Sequence, residues 1–302
     1  MFRGAAGWGE FCPFDDYDDR AAVPWLTAAV EAAEHGWPAP LRDRIPVNCT
    51  VPAVEPERAY RIVADSGCGT AKVKVADHPD SAAGDEERVR AVRDALGPAG
   101  NIRVDANAAW DVDTAVRRIR GLDRAAAGLE YVEQPCPSVP ELAQVRRRVQ
   151  VRIAADESIR RAEDPLRVAV EQAADVAVLK CAPLGGVRRA LRVAEACGLP
   201  CVVSSALQSS IGLAGEVALA AALPRLDFAC GLGTRALLAD DLVAESEQLV
   251  PRDGALPVRT APPEPEPERL SRLRATDGRR DWWLRRFERV GAILPPDDVS
   301  MA

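Results

Sequence analysis

The sequence predicts an α/β protein: a parallel barrel of seven to eight βα units, with a short N-terminal cap that the C-terminal segment completes. Three observations carry this expectation. From about residue 46, eight short apolar runs alternate with amphipathic helical stretches within about 200 residues, as in a parallel sheet closed on itself. The first run, in "VNCTVPAVEPE", leads into no glycine-rich turn, which argues against an open doubly wound sheet with a phosphate-binding first turn. Charged residues also recur at the ends of successive runs, where a TIM-like barrel carries its chemistry.

The runs are "PVNCTVPA", "TAKVKVA", "NIRVDAN", "EYVEQP", "VRIAADES", "VAVLKCAP", "PCVVSSAL" and "LDFACGLG". Between them lie "EPERAYRIVADSG", "DEERVRAVRDALG", "DVDTAVRRIRGL", "LAQVRRRVQ", "DPLRVAVEQA", "GGVRRALRVAEACG" and "SIGLAGEVALAAAL". Many of these open on Asp, Ser, Pro or Gly and several close on Gly, as helix ends do. The domain reading is a capping region over 1–45, the barrel over 46–250 and a C-terminal segment over 251–302. In the first flank "AAGWGEF" reads as the later half of a β-hairpin whose first strand is absent. In the last, "APPEPEPE" reads as an extended arm, followed by a helix over "DWWLRRFERV". The two flanks are expected to join into a cap across the barrel.

A net charge of −7, with 28% charged and 47% hydrophobic residues, is ordinary for a globular enzyme and excludes a basic surface for nucleic acid or anionic lipid. Arginine runs such as "QVRRRVQVR" are flanked by acids and read as solvated helix faces. No stretch reaches the 18 apolar residues of a membrane span, and "MFRGAAGWGEF" has no signal-peptide core. Eight scattered cysteines without a CxxC pair, beside two histidines, argue against zinc and for a reducing cytoplasm.

The strand ends supply Lys72 and Lys74, then Asp105, Glu133, Asp156 and Lys180. Strand side chains alternate faces, so Lys72 and Lys74 share one face while Val73 and Val75 take the other. The acids are spaced by 28 and 23 residues, and Lys180 follows 24 later, about one βα unit each. Three strands therefore deliver carboxylates to one mouth, bracketed by lysines. An oxygen-only cluster suits a hard divalent cation, most simply Mg²⁺ with Mn²⁺ as a substitute, and Asn107 is placed to support it. The alternative is three separate ion pairs at helix N-termini. If a metal holds a substrate carboxylate, abstraction of the α-proton gives an enediolate that the cation stabilises. A lysine beside a second ammonium is a candidate base, because its charged form is disfavoured. Lys72 would then tune or orient Lys74, and Lys180 would approach from the opposite side.

The motifs "KVK", "VDANAAW", "EQP", "AADES" and "LKCAPLGG" resemble the enolase superfamily, of the muconate-lactonizing subgroup with a lysine on each face, over roughly residues 46 to 240. Enolase-superfamily sites with a Lys or His base and Mg²⁺ are a standard example of such tuning. Within it, "GWGEFCPF", "VVSSALQSSIGLA" and "ACGLGTRALLADD" look most like the o-succinylbenzoate synthase family of the actinobacterial type. That resemblance implies a carbon–oxygen lyase of menaquinone biosynthesis, which dehydrates a small cyclohexadiene carboxylate through an enediolate. It implies that Lys74 removes the proton and returns it to the departing hydroxyl, that Lys180 stabilises the enediolate by a cation–π type contact, and that Asp105, Glu133 and Asp156 bind Mg²⁺. Main-chain groups around Ser204 and Gly231 would hold the substrate's succinyl carboxylate.

Members of this superfamily generally carry a longer N-terminal α+β cap than the 45 or so residues here, so a start further upstream or a shortened variant is expected. Two other readings stand beside this one. An N-succinylamino-acid racemase or dipeptide epimerase would use Lys74 and Lys180 as opposed acid–base partners. A non-catalytic metal-binding barrel would keep the charges without turnover. The partner implied is a small carboxylate, with no nucleic acid and no membrane, in a monomer or a homo-oligomer.

Overall fold

The computed structural model describes residues 1–160 and 165–294. The chain opens on a hairpin: β1 (Phe2–Arg3) pairs antiparallel with β2 (Trp8–Gly9), Phe2 opposite Gly9 and Arg3 opposite Trp8. This corrects the expectation that the hairpin lacks its first strand. The strand is present, but two residues are too few to show an alternating pattern. Helix α1 (Val23–Val30) follows and runs into a π-helical turn, Glu31–His35.

The barrel begins after β3 (Arg44–Pro46), with β4 (Cys49–Val51) and α2 (Pro56–Ser66). Then come β5 (Thr70–Lys74), α3 (Ala82–Leu96), β6 (Asn101–Asp105), α4 (Val112–Ala126), β7 (Tyr131–Glu133), α5 (Val139–Arg146) and β8 (Ile153–Ala155). Two short helices, α6 (Glu157–Arg160) and α7 (Arg167–Val170), lead to β9 (Val176–Leu179). The rest of the barrel is α8 (Cys181–Leu184), α9 (Val187–Cys197), β10 (Cys201–Val203) and α10 (Ser210–Ala222). Local chemistry sets these boundaries. Proline opens α2 and a left-handed Gly67 closes it, since glycine adopts that backbone without a Cβ clash. Ser138 and Glu141 form a capping box that starts α5 at Val139, ahead of the predicted "LAQVRRRVQ".

Strands β4 to β10 form one parallel sheet in chain order. The eighth run, "LDFACGLG", is not a strand among the described residues but two single bridges. Cys230 pairs with Val47, and Gly231 with Ser204. These bridges still close the ring, because Cys230 N–H donates to Pro46 O and Gly231 N–H to Val203 O, at 2.7 and 2.8 Å. A Cβ on Gly231 would lie 2.6 Å from Ser204 Oγ, so glycine is what lets the segment approach. The predicted helix over "DPLRVAVEQA" is reduced to the one turn of α7, and its opening residue, Asp164, lies outside the described residues.

Alternation along the strands sorts the core into two layers. Val73, Val104, Val132, Ala155, Leu179 and Val203 face the helices, while Tyr131, Ala154, Val176, Val178, Val202 and Phe228 fill the ring. Arg103 joins the inner layer with no exposure, paired to Glu130 and stacked over Tyr131. The last described elements are β11 (Ala255–Pro257), antiparallel to β3, then α11 (Pro267–Arg272) and α12 (Asp277–Ile293). Helix α12 lies on the cap: Trp283 and Phe287 meet Phe11 edge to face.

Candidate active site

The register assembles the charges. Lys74 pairs with Asp105 across β5 and β6, and Asp105 with Glu133 across β6 and β7. These three side chains form one row on the inner face. Glu133 is level with Ala154 on β8, so Asp156, two residues on, points inward one step higher. Counting the bridged segment, the ring has eight positions. Strands β5 and β9 lie four positions apart, which sets Lys74 and Lys180 across the mouth from each other.

Asp105, Glu133 and Asp156 are each 1% exposed, and each is held by an ammonium. Lys72 Nζ donates to both oxygens of Glu133 at 2.9 and 3.0 Å and lies 3.4 Å from Asp105 Oδ2. Lys74 Nζ sits 2.5 Å from that same Asp105 oxygen and donates to Asn107 Oδ1 at 2.8 Å. Lys180 Nζ donates to Asp156 Oδ2 at 2.6 Å. Asp105 thus bridges the two lysines of "KVK", and most of the Lys72 charge is spent on Glu133. Among the described residues no three Asp, Glu, His or Cys side chains are gathered closely enough to chelate an ion as they stand. Lys74 differs from its neighbours in access, its side chain being about one-third open.

Electrostatics follow from that packing. Burial works against the Lys72 ammonium, but Glu133 and Asp105 outweigh it and hold Lys72 well above the usual lysine range. Asp105 and Asp156 are likewise penalised by burial. Lys72 and Lys74 hold the first below the ordinary carboxylate range, and Lys180 with Arg160 holds the second there. Glu133 moves the other way: burial raises it, and so do Asp105 and Asp156 on either side, against Lys72. Three buried carboxylates that repel one another at the middle member form an oxygen-only donor set suited to a small divalent cation.

Backbone and neighbours fix the row. Non-glycine residues take positive φ just past three of these strand ends: Ala76 at 63°, Asn107 at 44° and Gln134 at 38°. Such conformations cost roughly 1–3 kcal/mol each and persist where the surroundings enforce them. Gln134 shows how. Its amide donates to Cys136 O and Ser158 Oγ, and its carbonyl accepts from Asp156 N and Ser158 N. Sequence reasoning passed over Gln134, although it sits inside "EQP". It also passed over Arg160, which donates to Asp156 Oδ1 at 3.1 Å, to Glu157 at 2.8 Å and to the cap's Tyr17 hydroxyl. Asn107 donates in turn to Glu157 Oε1.

Ser204 and Gly231 do come together, as the bridge that closes the ring. The N–H groups at the bridge itself are already paired within the barrel. Ser204 N donates to Leu179 O, Ser205 N to Gly231 O and Gly231 N to Val203 O. These three N–H groups are committed to the ladder.

A barrel that faces two lysines across a buried row of carboxylates is an enolase-like acid–base scaffold. The enolase C-terminal domain-like family model matches residues 55–262, and the enolase N-terminal domain-like model matches residues 1–33. The chain is 66% identical over 259 residues to the o-succinylbenzoate synthase of Thermobifida fusca (strain YX), covering 86% of this chain and 80% of that one. It is 53% identical over 295 residues to the o-succinylbenzoate synthase of Mycolicibacterium smegmatis, covering 97% and 89%. Among solved structures, muconate cycloisomerase from Pseudomonas fluorescens superposes with a TM-score of 0.71 at 28% identity, over 84% of this chain and 78% of that one. The chain belongs to the o-succinylbenzoate synthase family of the enolase superfamily.

Proposed function

We propose that this chain dehydrates 2-succinyl-6-hydroxy-2,4-cyclohexadiene-1-carboxylate to o-succinylbenzoate, a lyase step of menaquinone biosynthesis, with Mg²⁺ as cofactor. The observation that carries the reading is the pair of lysines set across the mouth, each hydrogen-bonded to a different carboxylate of the row. Lys74, the more open of the two, is the base. It takes the proton α to the carboxylate and, as its conjugate acid on the same face, returns a proton to the leaving hydroxyl. Asp105 and Asn107 aim its Nζ. Lys180, buried and held by Asp156, lies against the opposite face, where its amine offsets charge that develops on the carboxylate. Asp105, Glu133 and Asp156 would hold Mg²⁺, with Lys72 balancing Glu133. When bound, the cation supplies Lewis-acid stabilisation of the enediolate.

The test is turnover of the cyclohexadiene carboxylate, followed by loss of absorbance. Turnover should need added Mg²⁺ and stop with EDTA. Lys74→Ala should lower kcat by about 10²–10⁴-fold, the usual share of positioned acid–base catalysis. Folded protein with Mg²⁺ that leaves this substrate untouched would sink the reading. A second activity suits the same pair of amines: racemisation of an N-succinylamino acid, one lysine to each face. Inversion with uptake of solvent deuterium at the α-carbon would report it, and that inversion should need both Lys74 and Lys180, whereas exchange without inversion should need only the lysine on the face that carries the hydrogen.

A further inference from the structure

We propose that Glu216 is the positioning residue for Lys180, a role that rests on the reaction read above. Glu216 lies in the second turn of α10, is fully buried and forms no ion pair in the carboxylate row. Its carboxylate reaches back to the strand end that carries Lys180. Oε2 accepts from Cys181 N at 2.6 Å, while Oε1 accepts from Ala182 N at 3.4 Å and from Gln208 Nε2 at 2.9 Å. Cys181 and Ala182 open α8, whose N-cap is Lys180 itself, in extended backbone at φ −131° and ψ 121°. The first N–H groups of a helix have no partner within it, so Glu216 does for α8 what its own N-cap side chain does not. The Lys180 side chain is occupied with Asp156 instead.

Gln208 extends the hold. Its carbonyl accepts from Ala206 N at 2.8 Å, so Glu216 joins the end of β9 to the turn after β10. A lysine at the N-cap of a one-turn helix has little of its own to fix its direction, and a misplacement of about 1 Å at a reacting group costs about 10²-fold in rate. A buried carboxylate with three donors is a costly way to fill space. The geometry gives it one use: holding the Lys180 backbone while the side chain works.

Glu216→Gln keeps the shape and one acceptor. Its hydrogen exchange should quicken by about tenfold or more at the amides of Cys181 and Ala182, with the ends of β7 and β8 unchanged. Turnover should show kcat down about 10²-fold with KM little moved. In a Lys180→Ala background the same substitution should add nothing further, since both changes remove one function. A residue needed only for folding would add its effect in both backgrounds. Cys181→Pro is the second variant, because it removes the donor at a position where proline suits the helix start and the extended Lys180 backbone. It should reproduce the loss in kcat if Glu216→Gln does not fold. Unchanged exchange, unchanged kcat, or full additivity with Lys180→Ala overturns the proposal. If the wild-type chain leaves the substrate untouched, the reaction is misread, and the exchange measurement alone decides whether Glu216 holds the Lys180 strand end.

Discussion

Lys72 shows what a single residue can and cannot reveal in a sequence. Its neighbour two residues away made it a partner for Lys74, and the structure links them through one oxygen of Asp105. Its stronger engagement is with Glu133, 61 residues on, and no local pattern shows that. Removing Lys72 would leave Glu133 buried without its ammonium, a change that typically costs 3–5 kcal/mol. Lys72→Met should lower unfolding free energy by about that much in urea titrations without divalent cation, and added Mg²⁺ should recover part of it. Glu216 supplies a pH signature. Burial pushes its carboxyl up to about 7 from the ordinary 4.5, so the folded state binds its proton more tightly than the unfolded chain does. Stability from that proton is complete below about 4.5 and lost as pH rises through about 7, roughly 3 kcal/mol in all. The difference in unfolding free energy between Glu216→Gln and wild type should therefore rise with pH across that window and be flat outside it. A flat difference throughout would mean that Glu216 is not perturbed. Residues such as Lys74 and Asp105 were legible because strand alternation and unit spacing fix their direction. Gln134, Arg160 and Glu216 were not, because each is defined by partners on other elements.

At the scale of elements, helices with strong caps were readable and the closing of the ring was not. Asp111 and Ser209 cap α4 and α10 with their side chains, and such signals are local. The eighth position is held by single-residue bridges at Cys230 and Gly231, and the partner that closes the ring, Val47, lies at the far end of the barrel sequence. The start of α9 is a joint of the same kind. Gly186 sits at φ 109°, and Glu31 from the cap receives Val187 N and Arg188 N there. A Cβ on Gly186 would fall 2.2 Å from Glu31 Oε2. Gly186→Ala must therefore either displace that carboxylate or shift the helix start, on top of a backbone that side chains disfavour. The expected cost is about 2–4 kcal/mol, read as a lowered urea midpoint with an unchanged m-value. Gly198→Ala is the comparison: it too has positive φ, but nothing lies within 4 Å of its Cβ, so it should cost about 1 kcal/mol.

The whole molecule is a barrel whose mouth is bolted to the cap at three helices, the end of α6 and the starts of α9 and α10. Tyr17 meets Arg160 on α6, Glu31 caps α9, and Glu10 receives Ser209 and Gly212 at α10. The cap has its own small core around Trp25, Leu26 and Phe11, and α12 closes it from outside. Arg286 is the pin. It is 2% exposed, and its guanidinium donates to the carbonyls of Pro13, Phe14 and Tyr17 while lying over Trp282 and Trp283. The compact ammonium of lysine lacks the planar fork that spans these carbonyls from two nitrogens while stacking on the indoles. Arg286→Ala removes the donor that α12 supplies to those carbonyls and loosens the segment that carries Tyr17, hence the Tyr17 contact with Arg160 and, behind it, Asp156. The barrel row keeps its own bonds. Loss of this pin should therefore raise KM by about tenfold, with kcat falling less, because the mouth is held less often in its closed geometry while the lysines stay aimed. Hydrogen exchange should quicken over residues 11–20 and stay unchanged over β5 to β8. Arg286→Lys should resemble Arg286→Ala more than wild type. A fall in kcat with constant KM would instead place the influence of α12 within the carboxylate row, through Arg160 and Asp156, and not in the seating of the cap.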